Sequence, residues 1–235
     1  MLIQILEKWC GENNIAVNDK QKSAFEIYAG MLIEWNKKMN LTAITAENEI
    51  AVKHFIDSIS VLKYINLKQN ADLVDIGTGA GFPGIPLKIM RPDIKLTLLD
   101  SLNKRLIFLE EVCKAINLKA DIIHARAEEL SQNPEYREKF DYAVSRAVAN
   151  LPSLCEYCIP YIKNGGMFIS MKGSDGQNEL ELAQNAIKLL GGKSDSIYTF
   201  NLPDESIRTI ITISKISSTS SKYPRRGTKI SKNPL

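Results

Sequence analysis

From residue 72 onward, short apolar segments alternate with segments of helical periodicity, and this alternation constrains the fold more than any other feature. The apolar segments are Asp72–Ile76, Lys95–Leu99, Asp121–His124, Phe140–Ser145 and Met167–Met171. Strands that alternate with helices are joined by crossover connections. The sequence therefore predicts an α/β fold in which helices cover both faces of a mostly parallel sheet.

The last two apolar segments break this alternation. Ser196–Asn201 and Ile207–Ile213 are separated by five residues, which is too short for a helical crossover. Two strands joined by so short a connection pair antiparallel as a hairpin. Five alternating strands followed by a hairpin resemble the seven-stranded, Rossmann-like fold of S-adenosylmethionine-dependent methyltransferases.

The first 66 residues have a helical pattern instead. Phe25, Tyr28, Leu32, Trp35 and Met39 recur three and four residues apart and form one helix face. Asp19 is the predicted N-cap of this helix, and a later helix is predicted around residues 52–62. We therefore predict three parts: a helical extension (1–66) packed on a core (67–216), and a tail (217–235).

A glycine-rich turn follows the first predicted strand. The spacing fits the dinucleotide fingerprint G-x-G-x-x-G from Gly79, and it also fits D-x-G-x-G-x-G from Asp75. The second pattern begins at the strand end, where open parallel sheets bind ligands. The sequence predicts a ligand-binding loop whose cofactor contacts are Asp75, Gly77, Gly79 and Gly81.

Acids follow the next two predicted strands. Asp100 ends the second strand, where an acid accepts the ribose hydroxyls of a nucleoside cofactor of either type. Ser101 and Leu102 are predicted to line the adenine side. Ala127 and Glu128 follow the third strand, where Glu128 is either an adenine contact or an acid favoured by a helix N-terminus.

Arg146 ends the fourth predicted strand, a position that faces the reacting groups in this architecture; the alternative is a surface ion pair. Lys172, after the fifth strand, either contacts the substrate or begins a loop. The chain lacks the Asn/Asp-Pro-Pro-aromatic run of amine methyltransferases at this point.

Cys155 and Cys158 have no second ligand pair, so we predict buried cysteines and no metal.

The net charge of +3 is unevenly distributed. Residues 214–235 contain six Lys and Arg and no acid, whereas residues 1–213 sum to −3. The Ser/Thr run at 217–221 has the composition of a linker. The tail is therefore either a frayed terminus or a phosphate-binding arm, in which Tyr223 stacks on a base.

Four cysteines and the absence of a long apolar run predict a cytoplasmic protein without a membrane segment.

Several motifs together resemble one family, the bacterial ribosomal RNA small subunit methyltransferase G family, also called glucose-inhibited division protein B. The matching stretches are Trp35–Thr42, His54–Ser58, Asp75–Leu87, Asp100–Arg105, Arg126–Glu128, Ser145–Ala149 and Tyr223–Arg226. The resemblance implies methylation of N7 of one guanine in 16S ribosomal RNA, with S-adenosylmethionine as cofactor. It places cofactor contacts at Gly77, Phe82, Ala127, Glu128 and Arg146.

The implied chemistry needs no general base, because guanine N7 carries a lone pair and no proton and attacks the cofactor methyl in line. Arg146 is then a positioning residue. We expect Lys172, Arg225, Arg226 and Lys229 to contact RNA phosphates. The expected partner is small-subunit RNA or the 30S particle, and nothing demands more than a monomer.

Two alternatives stay open at this point. One is an NAD-type Rossmann oxidoreductase, which the terminal hairpin and the lack of hydride-transfer residues disfavour. The other is a non-catalytic RNA-binding assembly factor, which the complete glycine loop and Asp100 disfavour.

Overall fold

The computed structural model describes all 235 residues and contains a seven-stranded sheet. The strands are β1 (Asp72–Ile76), β2 (Lys95–Asp100), β3 (Ala120–His124), β4 (Phe140–Arg146), β5 (Ile162–Lys172), β6 (Gly192–Asn201) and β7 (Ile207–Lys215). Their order is β3-β2-β1-β4-β5-β7-β6. The first five strands are parallel, whereas β7 runs antiparallel to β5 and β6. The predicted fold and terminal hairpin are confirmed.

Two strands begin four or more residues before their predicted start, because backbone pairing continues through glycines. β5 begins at Ile162, which pairs with Phe140, and passes through Gly165 and Gly166 before the register shifts. β6 begins at Gly192, which pairs with Lys215. Apolar content alone does not reveal such glycine-containing strand ends.

Helices α1 (Leu2–Glu12) and α2 (Asp19–Met39) form most of the N-terminal part. The N-cap of α2 is Asn18, not Asp19, because Asn18 and Gln21 form a reciprocal capping box. The later predicted helix is irregular, with α3 (Glu47–Glu49), a π-helical segment (Ile50–Ile56), α4 (Asp57–Ile59) and α5 (Val61–Tyr64).

The helices between the strands are short. They are α6 (Gly84–Met90), α7 (Asn103–Ala115), α8 (Ala127–Leu130), α9 (Leu151–Cys158), a 3-10 turn (Ile159–Tyr161), α10 (Gly176–Leu182) and α11 (Gln184–Leu189). A last helix, α12 (Gly227–Lys232), lies in the tail. None of the helices combines the length and apolarity needed to cross a membrane.

Apolar side chains fill both faces of the sheet. Alternate residues of one strand belong to different clusters, as Leu73 and Val74 show: Leu73 packs with the N-terminal helices, and Val74 packs with α9 and the tail. Burial on both faces explains why the strands are continuous apolar runs. All four cysteines are buried and free, as predicted.

An aromatic stack joins the N-terminal helices to the glycine loop. The Phe82 ring stacks on His54, with 4.4 Å between centroids, and on Tyr28, with 5.3 Å. The Tyr28 hydroxyl also donates a hydrogen bond to the Ala80 carbonyl. Residues 1–66 are thus packed on the sheet, whereas the predicted division of the chain into three parts stays a prediction.

The tail is not a free arm, and the prediction that its Ser/Thr run is a linker is wrong. Thr219 is buried, and its hydroxyl donates to the Leu190 carbonyl over 2.7 Å. Tyr223 is also buried, so it has no free face on which a base can stack. The side chain of Arg225 pairs with the fully buried Glu156, with 2.7 Å between Nη2 and Oε2.

Candidate active site

Strands β1 to β4 end at one edge of the sheet, and the space there forms two clefts. We call the first the strand-end cleft; it has a volume of about 590 Å³ and is lined by Gly77, Asp100, Ser101, Ala127 and Glu128, among others. Five of the residues predicted to bind a cofactor are thus gathered in one place.

Asp75 is an exception, because its side chain is fully buried beneath the glycine loop and does not line this cleft. Its Oδ2 accepts hydrogen bonds from the Thr78 hydroxyl at 2.7 Å and from the Gly84 N–H at 2.8 Å. Burial raises the pKa of this carboxyl to about 7. The prediction that Asp75 contacts the cofactor is revised: Asp75 shapes the loop from within.

Two glycines of the loop combine a positive φ with a lack of space for a side chain. Gly77 has φ +69°, and an added Cβ would lie 2.5 Å from the Val148 side chain. Gly81 has φ +100°, and an added Cβ would lie 2.6 Å from the Tyr28 hydroxyl. Both positions therefore need glycine for conformation and for space. Gly79 donates its N–H to Asp100 Oδ2 over 2.9 Å.

Asp100 lines the strand-end cleft, as predicted for a ribose-binding acid, but it also holds the surrounding loops. Its Oδ2 accepts from Arg105 at 3.1 Å as well as from Gly79, and its Oδ1 accepts from the Leu102 N–H at 2.9 Å. Three donors leave about one acceptor position free. Ser101 lines the cleft, whereas the exposed Leu102 does not.

Glu128 lies in the first turn of α8 and also faces the strand-end cleft, so both of its predicted roles fit its position. Its side chain is 10% exposed, and Oε1 lies 3.9 Å from the Arg126 guanidinium. Ala127 precedes it in the cleft lining.

Arg146 lies in a second cleft of about 670 Å³, which we call the arginine cleft and which contains His54, Asp57, Arg146, Lys172 and Arg208. The guanidinium donates to Asp57 Oδ2 over 2.7 Å and to the Lys53 carbonyl over 3.0 Å. It also lies 5.1 Å above the Phe82 ring, an arrangement that favours a cation. Arg146 is therefore in an ion pair, but a buried one, and it does not line the strand-end cleft.

Phe82 does not line either cleft; it supports Arg146 and His54 from below. His54 contacts Arg146 Nη2 through Nδ1 at 3.2 Å. Since arginine only donates, Nδ1 is the acceptor and the proton lies on Nε2, towards the Thr42 hydroxyl. Burial, with the charge of Arg146, lowers the pKa of His54 to about 3, so this ring is neutral at pH 7.

Lys172 is mostly buried in the arginine cleft. Its ammonium group pairs with Glu179 at 2.7 Å and donates to the Ala149 carbonyl at 2.6 Å. Arg208, which the sequence reasoning missed, lies 3.3 Å from Asp57 Oδ1. Asp57 was missed as well, although it lies within the His54–Ser58 stretch that resembles the family.

The two clefts share one wall, formed by Ala147, Val148 and Ala149. Ala147 has φ +56°, a conformation that L-residues rarely adopt and that is common at functional sites. Val148 packs over Gly77 at the mouth of the glycine loop. A ligand in one cleft is thus separated from a ligand in the other by three small residues.

The donor set of the strand-end cleft fits S-adenosylmethionine. The cleft volume is in the range of sites for small cofactors. Gly77, which has a positive φ, lines the cleft with its backbone, and Asp100 stands at the end of β2, where a ribose-binding acid belongs. No group of three or more His, Cys, Asp or Glu side chains is arranged to hold a metal ion.

Solved structures with this fold include methyltransferases. M. jannaschii TYW2, solved in complex with AdoMet, superposes with a TM-score of 0.54 at 14% identity, over 69% of this chain and 76% of that chain. A putative methyltransferase from Bacillus halodurans gives a TM-score of 0.52 at 14% identity, over 68% and 99%. At such identities the likeness concerns the fold alone.

Sequence relatives are much closer. Ribosomal RNA small subunit methyltransferase G of Acetivibrio thermocellus is 52% identical over 96% of this chain and 94% of its own length. The protein of the same name from Alkaliphilus oremlandii is 50% identical over 100% and 99%. The family model described as rRNA small subunit methyltransferase G matches residues 21–208. The chain therefore belongs to the rRNA small subunit methyltransferase G family, whose members are S-adenosylmethionine-dependent methyltransferases.

Proposed function

We propose that this protein transfers the methyl group of S-adenosylmethionine to N7 of one guanine in small-subunit ribosomal RNA. The observation that carries the proposal is the shared wall at Ala147–Ala149, which brings a cofactor cleft and a cationic cleft together. When bound, the cofactor supplies an electrophilic methyl group. The protein's part is to hold donor and acceptor in line and to exclude water.

The arginine cleft suits a nucleic-acid acceptor. Arg146, Lys172 and Arg208 supply cations, and cationic side chains bind phosphates and guanine acceptor atoms. Asp57 and Glu179 hold these cations in place within a compact cluster. The cleft is therefore proposed as the site of the target nucleotide.

Two titratable groups near the clefts, Asp75 and His54, have strongly shifted pKa values and bear on the choice of acceptor atom. Asp75, with a pKa of about 7, is sealed beneath the loop. His54, with a pKa of about 3, points its unprotonated nitrogen at Arg146. Neither is placed as a general base for a substrate. Guanine N7 needs none, which supports it as the acceptor atom.

The proposal also covers the RNA segment that is methylated and the place where the protein works. Guanine N7 faces the deep, narrow major groove of A-form RNA, so the target is expected in an unpaired or distorted segment of the 30S particle or of an assembly precursor. We propose that the protein works in the cytoplasm as a monomer, without contact with membranes. A NAD-dependent oxidoreductase is disfavoured by the family membership.

Of the four residues predicted to contact RNA phosphates, only Arg226 and Lys229 are proposed to do so outside the clefts. Both side chains are exposed on the tail, whereas Arg225 pairs with Glu156 and Lys172 pairs with Glu179. We propose that Arg226 and Lys229 bind phosphates at the rim, while Lys172 contributes only within the arginine cleft.

Labelled S-adenosylmethionine, incubated with this protein and 30S subunits from a strain lacking the enzyme, tests the proposal. We expect one label in small-subunit RNA, mapped by nuclease digestion and mass spectrometry to N7 of a single guanine. Label on another atom would contradict the N7 assignment. The absence of any label, with RNA binding intact, would favour a non-catalytic assembly factor.

The double variant Arg146→Gln/Asp57→Asn tests the acceptor role of the arginine cleft and removes both members of the buried ion pair, so that neither is left as an unpaired charge. We expect kcat to fall about 100-fold, as for misplaced reactants, with the Kd for S-adenosylmethionine changed less than about threefold. Arg105→Gln, beside Asp100 in the strand-end cleft, is the matched control and should weaken cofactor binding instead. A double variant that loses cofactor affinity and keeps kcat would place Arg146 at the cofactor.

The double variant Arg226→Gln/Lys229→Gln should reduce the salt dependence of RNA binding. Each lost phosphate contact lowers the slope of log K against log salt by about 0.7 for single-stranded RNA. The control is Lys119→Gln/Lys139→Gln, which removes two exposed charges just before β3 and β4, at the opposite edge of the sheet. Equal slopes for the two double variants would show that the tail does not contact RNA.

A further inference from the structure

The C-terminal segment 217–235 packs against the β3 side of the strand-end cleft. Tyr223 and Ile230 are buried, and Tyr223 belongs to the cluster that also contains β4 and α9 side chains. Although its composition is typical of a solvated tail, the segment therefore has a defined position in the folded protein.

Buried polar contacts fix the segment in that place. Glu156 of α9 is fully buried and accepts hydrogen bonds from the Arg225 backbone N–H and the Arg225 side chain, each at 2.7 Å. Arg137 donates to the carbonyls of Thr219 and Tyr223, at 2.8 and 3.0 Å. These bonds hold the chain just before α12.

α12 then reaches the strand-end cleft, whose lining includes Gly227, Thr228 and Ser231. Gly227 touches Glu128 so closely that an added Cβ would lie 2.0 Å from Oε1. The tail thus contacts Glu128, the acid that follows β3. The hydroxyl residues Thr228 and Ser231 of α12 line the same cleft.

The order of the strands indicates which end of the cleft would hold each part of the cofactor. The wall shared with the arginine cleft follows β4, so the reactive end of a cofactor belongs there. Asp100 at the end of β2 marks the ribose, and β3 lies beyond it. The nucleobase end therefore points to Glu128 and α12.

From this placement we infer that the C-terminal segment forms the adenine-side wall of the cofactor site. Thr228 and Ser231 contribute hydroxyls that contact the nucleoside, and Gly227 sets the position of Glu128. This role is separate from RNA binding, because it uses the residues of α12 that line the cleft, whereas Arg226 and Lys229 do not line it. It does not depend on guanine N7 being the acceptor.

The test is calorimetric binding of two probes, S-adenosylmethionine and 5′-methylthioadenosine, which keeps the nucleoside and lacks the amino-acid part. For Thr228→Val/Ser231→Ala we expect the Kd of both probes to rise by a similar factor, about 3- to 30-fold for one or two lost hydrogen bonds. Ser217→Ala/Ser221→Ala, in exposed parts of the same segment, should leave both values unchanged.

Unchanged affinity for both probes would overturn the inference. A loss confined to S-adenosylmethionine would also overturn it, because the segment would then lie at the amino-acid end. Gly227→Ala provides a second variant. Its added Cβ displaces Glu128, so both probes should bind more weakly. The control is Gly11→Ala, whose added Cβ meets nothing within 4 Å and should not alter binding. Thermal unfolding of each variant establishes that it is folded, and no RNA is needed.

Discussion

The ion pair between Asp57 and Arg146 is the contact on which the site depends. It joins the first residue of α4 to the last residue of β4, with side chains only 5% and 13% exposed. A buried pair of this kind contributes little net stability, but the loss of one partner leaves an unpaired charge that is costly. Its value here is geometric: it holds Arg146 above Phe82 and beside the wall that separates the two clefts.

The two clefts use different chemistry on either side of that wall. The strand-end cleft is built from glycine backbone, Asp100 and Glu128, which suit the hydroxyls and amino groups of a nucleoside. The arginine cleft is built from cations that are each tethered to a carboxylate or a carbonyl, which suits a polyanion. The net charge of +3 does not reveal this division. Two basic side chains near the C-terminus, Lys215 of β7 and Arg225 of the tail, pair internally with Glu138 and Glu156.

The sequence allowed prediction of the sheet, the hairpin and the glycine loop, because these depend on periodicity and local glycine spacing. It did not reveal that Asp75 points inward, since a strand residue alternates between faces and its hydrogen bonds depend on how the loop folds back. Nor did it reveal Arg208, which meets Asp57 only through the pairing of β7 with β5. The tail was misjudged because its partners, Arg137 and Glu156, are distant in sequence.

Under the proposed mechanism, methyl transfer depends on alignment of the reactants and not on removal of a proton. Single-turnover methylation of 30S subunits, measured from pH 6 to 8.5 at saturating S-adenosylmethionine, distinguishes these two possibilities. For transfer to guanine N7 we expect a rate constant that is flat within about twofold, because the acceptor has no proton to lose and His54 stays neutral throughout this range. A rate that rises about tenfold per pH unit to an inflection near 7 would contradict it, since a group such as Asp75 would then be acting as a base.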